Sequence, residues 1–314
     1  MTSPLARGEA PGKIILFGEH AVVYGRPAIA APVTQVQARA HILPASTCTV
    51  EAIDLHQQVE VARAPADDPF ALMVNLVCHA LQRPLPPWRI VITSDIPIAA
   101  GLGSGAAISA AIARAMLAGF NARLTDETIS ALIYEVEKLH HGTPSGIDNT
   151  VVVYGRPVWF VRGREPEPFA VARPIPLLIA DTGAPSPTKI AVGDVRRAWE
   201  REPVRFEALF DAVADIARQA RAVIEEGTIL ALGPLMNANQ ELLARMGLSS
   251  PELDRLIQAA LGAGAAGAKL SGAGRGGNMI ALVTEETAEE VAEALRAAGA
   301  VRIIPTTILP APAT

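Results

Sequence analysis

The sequence has few cysteines and no cluster of them. Its 314 residues include only Cys48 and Cys78, which lie far apart in the chain and form no CxxC pair. Structural zinc sites and disulfide frameworks normally use several cysteines at short, regular spacings. The cysteine usage therefore predicts neither a disulfide framework nor a zinc site.

Runs of one charge and long apolar runs are also missing. The chain has 27 basic and 32 acidic residues, a formal net charge of −5, and no lysine- or arginine-rich segment, which argues against a nucleic-acid partner. The N-terminal residues MTSPLARGEAPGK lack a signal-peptide core, and no uninterrupted apolar run approaches a membrane span. We therefore expect a soluble, cytoplasmic protein with no nucleic-acid and no membrane partner.

Apolar residues are abundant and can form a large core. They make up 50% of the sequence, and the mean hydropathy is +0.29. A chain of 314 residues is long for one core, so two closely packed domains are expected. Residues 162–176 contain three arginines, two glutamates and four prolines and are interpreted as an exposed linker. The predicted domains are residues 1–165 and 174–314.

A glycine-rich stretch spans residues 98–111, IAAGLGSGAAISAA. Its second half is the start of a predicted helix from Ala106 to Leu117. Unpaired N–H groups at such a helix start, together with the helix dipole, bind anions, and phosphate is the usual occupant. A tight turn before a buried helix is the alternative, and the loop alone does not decide between them. The candidate residues are Gly101, Leu102, Gly103, Ser104, Gly105 and Ala106.

Polar residues flank a short apolar run near the N-terminus. The run Ile14–Phe17 lies between glycines and predicts a buried strand. Lys13 precedes it, and Glu19 and His20 follow it, as site residues at the two ends of a strand would. In the alternative interpretation, Lys13 is a solvated strand end and His20 a hydrogen-bonded core histidine. A Walker-type phosphate loop is excluded because its first glycine and its hydroxyl residue are missing.

A second turn, HGTPSGIDN at residues 141–149, contains Asp148 and precedes a predicted strand, Thr150–Tyr154. An aspartate on a rigid turn between a helix and a buried strand is a candidate general base. Local hydrogen bonding within the turn is the alternative. In the preceding predicted helix, Glu135 and Glu137 point to different faces, so at most one of them faces the glycine loop.

A third glycine-rich segment, AKLSGAGRGGNMIALV, spans residues 268–283. Gly272, Gly274 and Gly277 satisfy the pattern GxGxxG, but a dinucleotide-binding fingerprint must precede a helix. Here Asn278–Val283 predicts a strand instead. The segment is therefore interpreted as a glycine turn between two strands, where the backbone can approach a ligand or a facing loop closely.

In this order and spacing, the segments resemble the GHMP kinase superfamily and, within it, the mevalonate kinase branch. The resemblance spans about residues 9–283 and rests on APGKIILFGEHAVVYG (10–25), IPIAAGLGSGAAISAA (96–111), HGTPSGIDN (141–149), ADTGAPSPTK (180–189) and KLSGAGRGGNMIAL (269–282). It implies an α+β, two-domain fold with a ribosomal protein S5 domain 2-like N-terminal domain and a ferredoxin-like C-terminal domain.

The resemblance also implies an activity. The chain would use ATP and Mg²⁺ to phosphorylate a small-molecule alcohol, the 5-hydroxyl of (R)-mevalonate, and would form a homodimer. Two alternatives stay open: another small-molecule kinase of this superfamily, such as a phosphomevalonate or sugar kinase, and a non-catalytic nucleotide-binding regulator on the same fold.

Individual residues receive roles from the same resemblance. Asp148 is the implied catalytic base, with Lys13 beside it to counter charge on the transferred phosphoryl group. Glu137 ligates Mg²⁺ together with a serine of the glycine loop, whose backbone N–H groups cradle the ATP phosphates. Glu19 and His20 contact the mevalonate end. The C-terminal turn shapes the site with Gly272, Gly274, Arg275 and Gly276.

Two positions depart from the family pattern. The family loop reads GLGSSAA, and its second serine, which is credited with touching the metal, is Gly105 here. Either Ser104 takes over that contact or Mg²⁺ keeps a water molecule there. Arg275 occupies a turn that is usually all glycine. It either reaches a phosphate or a substrate carboxylate, or points into solvent.

Overall fold

The computed structural model describes residues 3–97, 101–141, 144–186 and 188–310. Residues 98–100, at the start of the predicted glycine stretch, lie outside the described residues. The strands are β1 (Ala6–Phe17), β2 (Ala28–Pro44), β3 (Thr49–Ala52), β4 (Gln57–Glu60), β5 (Trp88–Ser94), β6 (Val158–Phe160), β7 (Glu167–Pro168), β8 (Ile175–Asp181), β9 (Gly267–Ser271), β10 (Asn278–Leu282) and β11 (Arg302–Ile308). The α-helices are α1 (Pro69–Ala80), α2 (Ser104–Gly119), α3 (Asp126–His141), α4 (Ile147–Tyr154), α5 (Thr188–Arg201), α6 (Pro203–Glu226), α7 (Leu232–Arg245), α8 (Pro251–Gly262) and α9 (Ala288–Ala297).

The chain divides into two compact units. The first unit contains Met1–Gly12, Val36–Pro97 and Gly103–Gly155, and the second contains Lys13–Gln35, Ile98–Leu102 and Arg156–Thr314. The N-terminal segment that carries Lys13, Glu19 and His20 therefore groups with the C-terminal part of the chain. The domain ranges 1–165 and 174–314 stay a prediction.

Helix α2 is the central helix of the first unit and contacts α1, α3 and α4. Most of its buried residues are alanines, whose small side chains allow neighbouring backbones to approach closely. A Cβ atom added at Gly8 of β1 would overlap the backbone of Ala111 and Ala115. In the sheet of this unit, Ala38–Pro44 of β2 pairs antiparallel with β5, β5 pairs parallel with β3, and β3 pairs antiparallel with β4.

The second unit contains an antiparallel sheet in the order β11-β8-β10-β9. If the four strands are numbered 1 to 4 in chain order, from β8 to β11, their order across the sheet is 4-1-3-2. Helices follow the first strand, β8, and the third strand, β10, in the chain. This is a ferredoxin-like arrangement, as predicted for the C-terminal domain. Helices α7, α8 and α9 contact the sheet, and α6 contributes Leu209, Phe210 and Val213 to the core.

Several predicted elements are confirmed. The helix expected from Ala106 to Leu117 is part of α2, the predicted helix that contains Glu135 and Glu137 is α3, and the strand expected after the C-terminal glycine turn is β10. Among the described helices, none has the length and apolar character required to cross a membrane.

The predicted strand Thr150–Tyr154 is wrong, because these residues belong to helix α4. The β-branched run Val151–Val153 favours a strand by intrinsic propensity, but all three side chains are buried and α4 packs on α2 and α3. Tertiary burial outweighs a propensity difference of less than about 1 kcal/mol per residue. Asp148 therefore lies in the first turn of a helix and not in a loop that leads into a strand.

Candidate functional site

The predicted site residues form two groups, one in each unit. Asp148, Glu137 and Ser104 belong to the first unit. Lys13, Glu19, His20 and the turn 272–277 belong to the second.

The glycine loop leads directly into helix α2. Gly101 and Gly103 have φ angles of 85° and 72°, in the left-handed region, and Gly103 is the N-cap of α2. The N–H of Ala107 donates to the Gly103 carbonyl at 2.9 Å, which closes the first helical turn. The N–H groups of residues 104–106 lie before this first turn is closed, so they have no acceptor within the helix. The first turn carries no acidic side chain, so the geometry is suited to an anion.

Within the second unit, strand β1 and the C-terminal turn both contact the first residues of the glycine loop. The backbone N–H of Lys13 donates to the Leu102 carbonyl at 2.9 Å, and the Lys13 residue is only 3% exposed. A Cβ atom added at Gly101 would lie 3.7 Å from the Ser271 carbonyl oxygen, and one added at Gly272 would lie 3.7 Å from the Gly101 carbonyl oxygen. Three segments that are distant in sequence therefore meet at Gly101 and Leu102.

Helix α4, which carries Asp148, is held by side chains of α2 and α3. The buried Asn149 amide donates to the Ser130 carbonyl at 3.1 Å and to the Ser130 hydroxyl at 2.8 Å. At the other end of α4, the Arg114 guanidinium donates to the Val153 carbonyl at 2.7 Å. These contacts fix both ends of a helix of eight residues, so that the position of the half-buried Asp148 is set by the protein.

The oxygen donors proposed for a metal lie on α3 and at the start of α2. Glu137 is 3% exposed, whereas Glu135 is solvent-exposed and forms an ion pair with Lys138, so the two acids do lie on different faces. The described residues contain no group of three His, Cys, Asp or Glu side chains that could hold a metal ion by themselves. Mg²⁺ commonly uses one or two protein oxygens, waters and substrate phosphates. A carboxylate and the Ser104 hydroxyl fit that pattern.

Glu19 is fully buried and paired. Its carboxylate forms an ion pair with Lys269 of β9, and both side chains have no exposed surface. The Asn239 amide of α7 donates to the other carboxylate oxygen of Glu19 at 3.3 Å, and the Lys269 ammonium also donates to the Leu270 carbonyl at 2.6 Å. Burial lowers the pKa of Lys269, while the Glu19 carboxylate opposes that shift.

His20 is a buried histidine bonded to the C-terminal glycine turn. Its Nε2 lies 2.9 Å from the Ala273 carbonyl oxygen, which can only accept a hydrogen bond. Burial lowers the pKa of His20 to about 4, a net shift that the Ala273 carbonyl opposes and the charge of Arg275 reinforces. The imidazole is therefore neutral near pH 7, Nε2 carries the proton, and Nδ1 is the acceptor.

The stability of the protein is expected to depend on His20 between about pH 4 and pH 6.5. Below pH 6.5 the unfolded chain binds a proton at this position and the folded chain does not, so the free energy of unfolding falls as the pH falls. The full effect of the pKa shift is roughly 3 kcal/mol. Urea unfolding across this range should show a smaller pH dependence for His20→Gln than for the native chain, and the exposed His79→Gln should behave as the native chain does.

Arg275 has a partner that neither sequence interpretation anticipated. Its guanidinium forms an ion pair with Asp194 of α5, and its Nε donates to the Gly247 carbonyl at 3.1 Å. Arg275 thereby lowers the pKa of the Asp194 carboxyl. The backbone of Arg275 has a φ of 61°, and a Cβ atom added at the neighbouring Gly276 would overlap the Ala184 carbonyl. The conformation of Arg275 is explained by contacts within the protein.

Sequence reasoning missed Lys269, Asn239 and Arg114 as residues that support the site. Lys269 had one detectable signal, because it is a single charged residue in a strand whose other residues are apolar or small. Asn239 and Arg114 lie on amphipathic or alanine-rich helices, where a polar residue normally faces solvent. Their contacts are formed by tertiary packing and leave no local pattern.

Two family models match the chain. The model of the GHMP kinases N-terminal domain matches residues 53–156, and the model of the GHMP kinases C-terminal domain matches residues 212–301. Together they cover more than half of the chain and include Asp148, Glu137 and the glycine turn.

Similar proteins align along nearly the whole chain. The mevalonate kinase of Pyrococcus abyssi is 36% identical over 321 aligned positions, which cover 96% of this chain and 95% of that protein. The crystal structure of L. major mevalonate kinase in complex with R-mevalonate has a TM-score of 0.85 and 31% identity and covers all of both chains. The crystal structure of Methanococcus jannaschii mevalonate kinase has a TM-score of 0.83 and 26% identity, covering 96% of this chain and 98% of that one.

Proposed function

Because the chain belongs to the GHMP kinase family and is an ATP-dependent kinase with an alcohol acceptor, we propose that it phosphorylates the 5-hydroxyl of (R)-mevalonate. The product would be 5-phosphomevalonate, an intermediate of isoprenoid biosynthesis. The similarity that supports this proposal is 36% identity over 96% of the chain to a mevalonate kinase.

The ATP phosphates are assigned to the glycine loop. The N–H groups of residues 104–106, which have no acceptor within the helix, and the positive end of the α2 dipole would stabilise the phosphate charge. The bond between the Lys13 N–H and the Leu102 carbonyl fixes the strand that carries Lys13 to this loop. The Lys13 ammonium would then counter the charge that develops on the transferred phosphoryl group.

Asp148 is assigned as the base that accepts the proton of the acceptor hydroxyl. In phosphoryl transfer the protein mainly positions the reactants, neutralises charge and directs the acceptor oxygen in line with the leaving group. Asn149 and Arg114 fix both ends of α4, so the helix that carries the carboxylate is held before the substrate binds. Pre-positioning of this kind reduces the entropy that must be lost in the transition state.

A magnesium ion is assigned to Glu137 and Ser104. Bound together with ATP, Mg²⁺ would neutralise part of the phosphate charge. The buried Glu137 would supply a carboxylate oxygen and Ser104 a hydroxyl oxygen, with water in any remaining position.

The end of mevalonate away from the reacting hydroxyl is assigned to Glu19 and His20. Since His20 is neutral and donates through Nε2 to the Ala273 carbonyl, its Nδ1 would accept a hydrogen bond from the substrate. Glu19 has no exposed surface, which favours His20 as the residue of this pair that contacts mevalonate.

The test of the substrate is a coupled ADP-release assay with Mg²⁺-ATP and four acceptors: mevalonate, phosphomevalonate, homoserine and galactose. Turnover with mevalonate alone, at about 1–100 s⁻¹, is the expected result. Turnover with another acceptor would retain the kinase mechanism and reject the substrate. Gly105 in place of the family serine is the observation that favours a nucleotide-binding regulator, and ATP binding without turnover of any acceptor would support it.

The variant Gly105→Ser restores the family loop and tests the metal assignment. If Ser104 or water only partly replaces the missing hydroxyl, the variant should lower the Mg²⁺ concentration required for half-maximal rate by several-fold, because a protein oxygen would replace a water molecule on the ion. Initial rates against Mg²⁺ at saturating ATP measure this. Ser104→Ala should raise the required Mg²⁺ concentration, and equal Mg²⁺ dependence in all three proteins would reject the loop as a metal ligand.

We also propose that the protein is cytoplasmic, as its composition and N-terminal residues predict, and that it forms a homodimer, as the resemblance implies. Light scattering coupled to gel filtration should give twice the mass of the 32.9 kDa chain, and a mass of one chain would reject the dimer. Fractionation of cells that produce the protein from its own gene should place it with soluble cytoplasmic markers.

A further inference from the structure

Lys269, which forms a buried ion pair with Glu19 in the second unit, has no role in the mechanism described above. Glu19 and Lys269 are both inaccessible to solvent, and the Asn239 amide completes a cluster of three polar side chains from β9, α7 and the segment after β1. The Asn239 side-chain oxygen has no hydrogen-bond partner among the described residues, so Asn239 serves Glu19 as a donor only. We call these three residues the Glu19 cluster.

Stability alone is a weak explanation for the cluster. Removing two charges from water costs several kcal/mol per ion, and apolar residues of similar size are often at least as stabilising as a buried ion pair. A buried pair can instead specify one local conformation among several. The conformation that Glu19 can specify is that of the turn on which it lies.

The backbone of that turn is unusual. Gly18 has a φ of 97° and His20 a φ of 59°, so left-handed residues flank Glu19 on both sides. Left-handed backbone is disfavoured for a residue with a Cβ atom, and it persists only where surrounding contacts hold it. The Gly18 position is also closely packed, because an added Cβ atom would overlap Pro27 and Ala28. The His20 conformation therefore needs contacts from outside the turn.

Two such contacts come from the same strand and the turn after it. Lys269 lies in β9 and holds the Glu19 carboxylate, and Ala273, four residues later, accepts from His20 Nε2. Between them, the Ser271 hydroxyl accepts from the Ile15 N–H at 3.1 Å and donates to the Ile15 carbonyl at 2.9 Å. The segment that precedes His20 is thus bound to β9 at several successive points.

We propose that Lys269, with Asn239, is a positioning residue for substrate binding: it fixes Glu19 and thereby holds the His20 imidazole with Nε2 on the Ala273 carbonyl and Nδ1 directed toward the acceptor substrate. The identity of the substrate in this proposal rests on the proposed function. The geometry rests on the contacts of Lys269, Glu19 and His20. Lys269 touches neither ATP nor mevalonate in this role. Its contribution reaches the substrate through His20.

The main experiment combines kinetics with NMR of ¹⁵N-histidine-labelled protein. Lys269→Met should raise KM for mevalonate between about tenfold and a hundredfold, with KM for ATP changed by less than about twofold, because a small misplacement of a binding group has effects of this size. At pH 7 the His20 signals of the native chain should report a protonated Nε2, and this tautomer signature should be lost or broadened in the variant.

A double-mutant cycle tests whether Lys269 acts through His20. In a His20→Ala background, Lys269→Met should cause little further rise in KM for mevalonate, because the group that it positions is gone. Asn239→Ala provides a milder perturbation in case Lys269→Met does not fold, since the ion pair remains. It should shift KM for mevalonate and the His20 signals in the same direction by a smaller factor.

The control is Leu253→Ala, which removes a fully buried side chain from α8 in the same unit. It should lower the melting temperature and leave KM for mevalonate and the His20 signals unchanged. Native His20 signals in folded Lys269→Met or Asn239→Ala would overturn the proposal, as would independent effects of Lys269→Met and His20→Ala. If the native chain fails to turn over mevalonate, the proposed function fails, and the NMR comparison still tests the positioning.

Discussion

Asp148→Asn is expected to lower kcat for mevalonate phosphorylation by a factor of about 10²–10⁴, the range for loss of a general base. Asparagine has nearly the same size as aspartate and is compatible with the first turn of α4. It cannot take a proton from the acceptor hydroxyl. Because the ATP phosphates are assigned to other residues, KM for ATP should change by less than about twofold. Steady-state kinetics at saturating ATP and mevalonate measure the loss.

The matched control for Asp148→Asn is Glu135→Gln. It removes one carboxylate from the same unit, at an exposed position that is paired with Lys138. Its kcat should equal that of the native chain. If Asp148→Asn retains kcat within about threefold, Asp148 is not the base and the proton leaves by another route. Circular dichroism of both variants distinguishes a loss of catalysis from a loss of folding.

Lys13→Met is expected to lower kcat by a factor of about 10²–10³, the effect of removing one group that stabilises charge in the transition state. Methionine retains most of the apolar stem and fits a position that is 3% exposed. The backbone bond from residue 13 to the Leu102 carbonyl does not depend on the side chain, so the link between β1 and the glycine loop should remain. The affinity for ATP, measured by titration without acceptor, should fall much less than kcat.

Lys138→Met is the control for Lys13→Met, because it removes an exposed ammonium from the first unit. It should leave kcat and both KM values unchanged. An unchanged kcat in Lys13→Met, with a raised KM for ATP, would assign Lys13 to ground-state binding alone. The double variant Lys13→Met/Asp148→Asn should lose less than the product of the two single losses if both residues act in the same chemical step.

The glycine segments were the most informative parts of the sequence. Gly101 and Gly103 were expected to allow positive φ angles, which other residues rarely adopt, and both have positive φ angles at the start of α2. The pattern at 272–277 was expected to be a turn between strands, and it joins β9 to β10. Such predictions succeed because the preference belongs to the residue itself.

The failures share a different origin. The valines after Asp148 favour a strand locally, yet α4 is a helix because its buried face packs on α2 and α3. The role of Arg275 stays a prediction, but its ion pair with Asp194, which precedes it by 81 positions, was not expected from the sequence. In both cases the deciding partner lies on another element, and no pattern near the residue identifies it.

The sequence alone determined the α+β class, the start of α2 at a glycine loop, the strand after the C-terminal glycine turn, and the family to which the chain belongs. Those features depend on backbone preference, hydrophobic periodicity and short motifs, which are local in the chain. Only the tertiary structure decided that Glu19 pairs with Lys269, 250 positions later, and that His20 is bonded to Ala273. Buried polar groups must find partners wherever the fold brings them, because an unpaired buried charge is too costly. The identity of those partners is therefore a property of the folded chain.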